Sequence, residues 1–111
     1  MTKTARGTIN GQGNQLEGHF ETEVGSVIAS IKLTTPVEHL FEGRDAVLEY
    51  DDVEDLFSPS KIESGSVIGP AVLRLLLVNE SRAKVTITAH ISPPLPSALT
   101  EGGTAIFIKP E

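Results

Sequence analysis

Five carboxylates crowd a seven-residue stretch: Glu49, Asp51, Asp52, Glu54 and Asp55. Hard cations such as Ca²⁺ and Mg²⁺ take oxygen ligands of this kind. The EF-hand pattern is nevertheless absent, with no glycine at its sixth position and no acid at its twelfth. Acids at a helix start are also what capping and the helix dipole ask for. The cluster therefore reads as a solvated acidic patch for a basic partner, and neither a metal nor a cofactor is expected. The three histidines, His19, His39 and His90, have no metal-ligand spacing. A catalytic histidine needs a nucleophile and an orienting acid beside it. Ser64, Ser66 and Ser97 lack the G-x-S-x-G context of an activated serine. Gly7, Gly11 and Gly13 precede a strand, whereas a phosphate cradle needs a helix N-terminus behind it. Pro93-Pro94-Leu95-Pro96 has the composition of a proline-rich ligand, or of a connector between two strands.

The bulk numbers narrow the classes further. A chain of 111 residues fits one domain. With 39 % hydrophobic and 22 % charged residues it can build a core, and with 5 % aromatics that core must be aliphatic. There is no cysteine, so disulfides, thiolate metal sites and thiol chemistry fall away together. The net charge is −6, unevenly spread: residues 17–63 carry twelve Asp/Glu against three Lys/Arg, a net of −9. The remainder has six against three, a net of +3. No basic stripe suited to neutralising phosphates is visible, so nucleic acid is not an expected partner. The start lacks the apolar run of a signal peptide. The longest strongly apolar stretch, Ala71 to Val78, is too short to span a bilayer. A soluble, cytoplasmic protein without a membrane partner is the expectation.

The elements that must position these residues are strands. Leu16, Gly18, Phe20, Thr22 and Val24 alternate with Glu17, His19, Glu21 and Glu23, the period of a half-buried strand. Gly25-Ser26 suits a two-residue turn with positive φ at its first position. Folding there pairs Val24 with Val27, Phe20 with Ile31 and Gly18 with Leu33. Residues 1–15 form a flexible or edge-strand arm ahead of a single β domain, 16–111. Thr35-Pro36-Val37-Glu38 reads as a capped helix start running to Gly43. Ala46 to Tyr50 reads as a strand. Asp51 to Phe57 repeats the capping device, with Val53, Leu56 and Phe57 on one side and Ser58-Pro59 as its end. A closing strand covers Thr104 to Lys109. The sum is an all-β fold, an antiparallel sandwich or small barrel of six to eight strands with two short helical turns.

The segment 71–91 carries the functional expectation. With Asn79 facing Ala83, a hairpin pairs Leu77 with Val85, Leu75 with Ile87 and Leu73 with Ala89. Its second face then holds Val72, Arg74, Leu76 and Val78 against Lys84, Thr86, Thr88 and His90, still substantially apolar. Such a face is covered by other strands or by another subunit. Val72, Leu76 and Val78 are therefore the expected subunit contact of a non-enzymatic module whose partner is protein, above all a second copy of itself. The chain length, the polar start and the final Gly103-Thr-Ala-Ile-Phe-Ile run resemble small capsid-decoration proteins of phages. That resemblance implies a viral structural module and a place in the virion. Two other readings stand beside it. In one, a barrel uses the doubly apolar hairpin to line an internal pocket for a small apolar ligand. In the other, a small hydrolase or isomerase works through His90 or His19 with a carboxylate.

Overall fold

Two strands carry most of the fold, and neither can be straight. Strand β1 (Lys3–Thr22) has 20 residues and β2 (Gly25–Tyr50) has 26. At ~3.3 Å per residue these would reach roughly 65 and 85 Å, yet the longest dimension of the molecule is 36 Å. The β1–β2 hairpin must therefore double back on itself. The computed structural model describes residues 2–63, 65–69, 71–92, 99–100 and 102–109, with backbone alone at residues 35, 37–39, 99 and 100. The other strands are β3 (Ser60–Ile62), β4 (Val67–Ile68), β5 (Val72–Asn79), β6 (Lys84–Ser92), β7 (Leu99–Thr100) and β8 (Gly103–Ile108).

All eight lie in one antiparallel sheet that closes into a barrel. The first half of β2 pairs with β8, β8 with β3, and β3 with β5. β5 pairs with β6, and β6 returns to the second half of β2. β1 lies along both halves of β2, while β4 flanks β5 and carries β7. Of the two shapes the sequence allows, the barrel is the one adopted. Its interior is filled by side chains, as in other small barrels. Phe20, Ile31, Leu48, Leu73, Leu75, Leu77 and Ile87 are all buried there.

The doubling back has two local causes. Between the pairs Gln15↔Lys32 and Gly13↔Val37, β2 spends five residue steps where β1 spends two. The surplus bends the ladder as a wide irregular bulge. A second bulge lies at Asp45, the extra residue between Gly43↔Ile9 and Ala46↔Gly7, with φ of 51°. The folded halves then meet edge to edge. A Cβ on Gly7 would lie 1.7 Å from the carbonyl oxygen of His19, so only glycine lets the two parts of β1 approach this closely. At the same seam Lys3 Nζ reaches Glu23 Oε1 at 2.8 Å.

The first hairpin turns two residues earlier than its sequence suggests. The loop is Glu23-Val24, with Thr22 opposite Gly25 and Phe20 opposite Val27. Neither loop residue has positive φ, but Gly25 does, at 103°. That rules out a primed turn and matches a tight turn followed by a glycine bulge. Thr22 Oγ1 accepts from the Val24 amide at 3.2 Å and donates to the Gly25 carbonyl at 2.8 Å, which holds the loop shut. Moving a two-residue loop changes the pairing register by an even number of residues, here taking Phe20 from Ile31 to Val27, so Leu16, Phe20, Val27, Ala29 and Ile31 still face the core.

The expected helix at Thr35–Gly43 does not form; β2 runs straight through it. A capping box is worth only ~1 kcal/mol, against a continuing ladder with β1. Phe41 is buried there over Gly11, where a Cβ would come 2.3 Å from its ring. The second capped turn does form, as the 3₁₀ turn η1 (Val53–Phe57), with the Asp52 side chain accepting from the Glu54 amide at 3.1 Å. Leu56 is buried, but Phe57 remains 37 % exposed instead of packing beside it. The Pro93–Pro96 segment, Ser64, Ser97 and the His39 side chain lie outside the described residues.

Candidate functional site: the outer face of β5 and β6

The β5–β6 hairpin has the register its alternation predicts: Leu77↔Val85, Leu75↔Ile87 and Leu73↔Ala89. Asn79 sets it. Its Oδ1 accepts from the Ser81 and Ala83 amides at 2.9 and 3.0 Å, and its Nδ2 donates to the Asp55 carbonyl at 3.3 Å. Arg82 completes the loop at φ 64°. With Leu73, Leu75 and Leu77 buried inside, the opposite face points away from the core. Val72 is 46 % exposed, and Leu76 and Val78 are half-buried. Their apolar character therefore lines no internal pocket.

The bulge at Asp45 sets what lies beside them. It keeps Gly43 and Ala46 inward, so that Arg44 comes opposite His90 and Val47 opposite Thr88. Two rows of residues then run across the outer surface. One is Arg44, His90, Val72; the other is Arg6, Val47, Thr88, Arg74. Further along the same face Lys84 and Lys61 flank Val78. Neighbours across a strand pair sit ~5 Å apart at Cβ. This puts exposed cations of five strands around a strip of valine, leucine and threonine. Among the described residues none of Arg6, Arg44, Lys61, Arg74 and Lys84 has a carboxylate within 4.0 Å; the pairs found are Lys3–Glu23 and His19–Glu17. The outward residues of β5 and β6 include no acid. Glu42 stands at the edge of the patch opposite Ser92, and Glu49 stands within it, in one row with Thr86 and Leu76.

No family model matches the chain, and no curated protein does. One solved structure shares its fold. The virulence-associated protein VapB from the intracellular pathogen Rhodococcus equi aligns over 98 % of this chain and 99 % of its own, with a TM-score of 0.60 at 16 % identity. At that identity the likeness is one of fold alone.

The remaining candidates are placed as follows. Glu49, Asp51, Asp52 and Glu54 are exposed and Asp55 is half-buried. Asp51 accepts from Thr2 Oγ1 at 3.2 Å, and Asp52 caps η1. Among the described residues no three acids or histidines converge on a metal-sized centre. Glu49 and Asp51 share a shallow dent of about 190 Å³ with Lys84. His19 lies 3.7 Å from Glu17, both more than half exposed on the outer sheet. His90 is exposed and faces Arg44. Among the described residues neither histidine has a buried carboxylate beside it. The larger cavity is an open groove of about 780 Å³ where the hairpin bends, floored by Leu16 and Phe41 with Leu40 at its edge. No helix among the described residues is long and apolar enough to cross a membrane.

Sequence reasoning placed Arg74, Lys84 and His90 on this face with the valines and Leu76, but missed Arg6, Arg44 and Lys61, which neighbouring strands bring beside them. Their signal lies in a register that brings residues 6, 44, 74 and 90 together, and no local pattern carries it.

Proposed function

We propose that this barrel works without catalysis, by protein contact, with the outer face of β5 and β6 as the contact surface of a homo-oligomer. The observation that carries the reading is Val72, 46 % exposed, in a strip with Leu76 and Val78, surrounded by cations that have no carboxylate partner among the described residues. Exposed apolar strands are normally blunted or covered. The barrel interior is filled by side chains, which leaves the surface as the working part. The shared fold with a virulence-associated barrel is compatible with this reading and adds no partner to it.

Light scattering coupled to size exclusion tests it. The chain is expected to run above its 11.8 kDa mass as concentration rises, and Val72→Asp with Leu76→Asp should return it to that mass. A wild-type mass of 11.8 kDa at every concentration overturns the proposal.

A further inference from the structure

A second apolar strip lies outside the barrel, on β8 and the first half of β2. Ile106 and Ile108 are 41 % and 51 % exposed, and Ile28, directly opposite Ile108, is half-buried. The same rows continue onto β1, where Ser30 lies opposite Glu17 and Ile28 opposite His19. Glu21 follows on that strand, opposite Ser26. At the end of β8 stands η1, in contact with it, bearing Glu54, Asp55 and the part-exposed Phe57. The strip is thus edged by acids on β1 and η1, with Lys32, Lys61 and Lys109 also at its margins.

We infer that the occupant of the β5–β6 face is this isoleucine strip of a second copy, so that chains join head to tail. The inference rests on the proposed contact function and supplies its partner. Charge decides the pairing. On the β5–β6 face Arg6, Arg44, Lys61, Arg74 and Lys84 outnumber Glu49, so laying it on a copy of itself brings together a net excess of like charge, which disfavours that pairing. The isoleucine strip laid on itself would oppose Glu17 and Glu21 likewise. The mixed pairing brings apolar surface to apolar surface and sets the excess of cations on one face toward Glu17, Glu21, Glu54 and Asp55 around the other. Its size is sufficient. A standard contact takes ~800 Å² from each partner, roughly an eighth of the 6369 Å² surface, and one side of the barrel, 36 by 25 Å, is of that order. β3 alone separates β5 from β8 in the ring, and its Lys61 stands between Val78 and Thr104, so the two faces adjoin there and turn away from one another around the closed barrel. A contact of this kind leaves one free face at each end, and it closes into a ring or continues as a filament.

Two variants, each blocking one face, test this. Arg74→Glu with Lys84→Glu spoils the cationic face; Ile106→Lys with Ile108→Lys spoils the strip. All four positions are exposed, and circular dichroism confirms folding. Each variant alone should be monomeric. Mixed in equal amounts, they retain one good face of each kind and should give a species of twice the 11.8 kDa chain mass that grows no further. If the first variant is monomeric while the second still assembles like the wild type, the β5–β6 contact stands and its head-to-tail partner is wrong. A mixture that stays monomeric overturns the head-to-tail inference as well. If neither variant alters the assembly, both readings fail.

Discussion

Gly7→Ala adds one methyl group, and the closure of the barrel predicts that it is among the most damaging small substitutions in the chain. The new Cβ would stand 1.7 Å from the His19 carbonyl oxygen and 2.9 Å from the Phe20 Cα. Ordinary contact begins near 3.4 Å, so the two parts of β1 must separate by about 1.7 Å, a large step beside the ~4.8 Å spacing of paired strands. Both obstructing groups are backbone, and no rotamer change relieves them. Overpacking alone costs ~1–3 kcal/mol. Opening the seam also exposes Ala5, Ile9 and Phe20, all at most 2 % accessible, and a large apolar side chain contributes ~1.5–3 kcal/mol when buried. A loss above ~4 kcal/mol is expected, a large share of the ~5–15 kcal/mol that holds a domain together. Gly13→Ala is the control. It meets nothing within 4 Å but sits at φ 61°, where a Cβ costs ~1–2 kcal/mol. Urea unfolding followed by far-ultraviolet circular dichroism measures both. If Gly7→Ala costs no more than Gly13→Ala, the seam between the halves of β1 is not where the barrel closes.

Asn79→Ala removes the acceptor for two loop amides and the tie to Asp55. Since Ser81 is exposed and water can replace part of the loss, a cost of ~2 kcal/mol is expected. The melting temperature should fall by about 10 °C, whereas retention of the wild-type value would remove Asn79 from its role. Burial raises the Tyr50 phenol above its ordinary value of 10.0, and the Glu23 carboxylate beside it raises it further. A group whose neutral form the fold prefers contributes its full stabilisation below the unfolded pKa and loses it as pH climbs through the folded one. Stability should thus decline above pH 10. Ultraviolet titration of this lone tyrosine should show late ionisation that moves down, though not fully to 10.0, in Glu23→Gln. An unchanged titration in that variant would show that Glu23 does not act on the phenol.

What was legible in the sequence is what depends on parity. The alternation from Leu16 to Phe20 places its residues inside or outside correctly even though the turn takes in Val24 and leaves Thr22 and Val24 half-exposed, because a register change by an even number of residues keeps every face. The β5–β6 register was fully legible because Asn79 and the loop it closes are adjacent in the chain. The helix expected at Thr35 failed for the opposite reason. Its capping residues are a local signal, and they were outweighed by pairing with a β1 whose glycines leave room for Phe41. The seam at Gly7 and the bulge at Asp45 have no local signature at all. Each exists only once distant segments are paired, and a sequence scan sees an unremarkable glycine and an unremarkable aspartate.

The same reasoning bears on the charge. A net of −6 describes the far field, which falls away within ~8–10 Å at ordinary ionic strength; a docking partner meets the near field. Here the near field of one face is set by Arg6, Arg44, Arg74 and Lys84, drawn from both ends and the middle of the chain. Pairing them on one surface produces a cationic strip on an acidic protein. A nucleic acid would meet the same charges with only the His90 imidazole to stack on among the described residues. Phe20, Phe41, Phe107 and Tyr50 are buried, and Phe57, the remaining aromatic, belongs to η1 and stands at β8. The aliphatic residues between the cations suit a protein surface instead. Screening supplies the measure of how far charge chooses that partner. Raising salt from ~0.1 to ~1 M shortens the screening length from ~10 to ~3 Å, so a head-to-tail assembly selected by charge should weaken over that range. A contact held by Val72 and Leu76 against like surfaces would tighten instead, as repulsion between their arginines and lysines is screened.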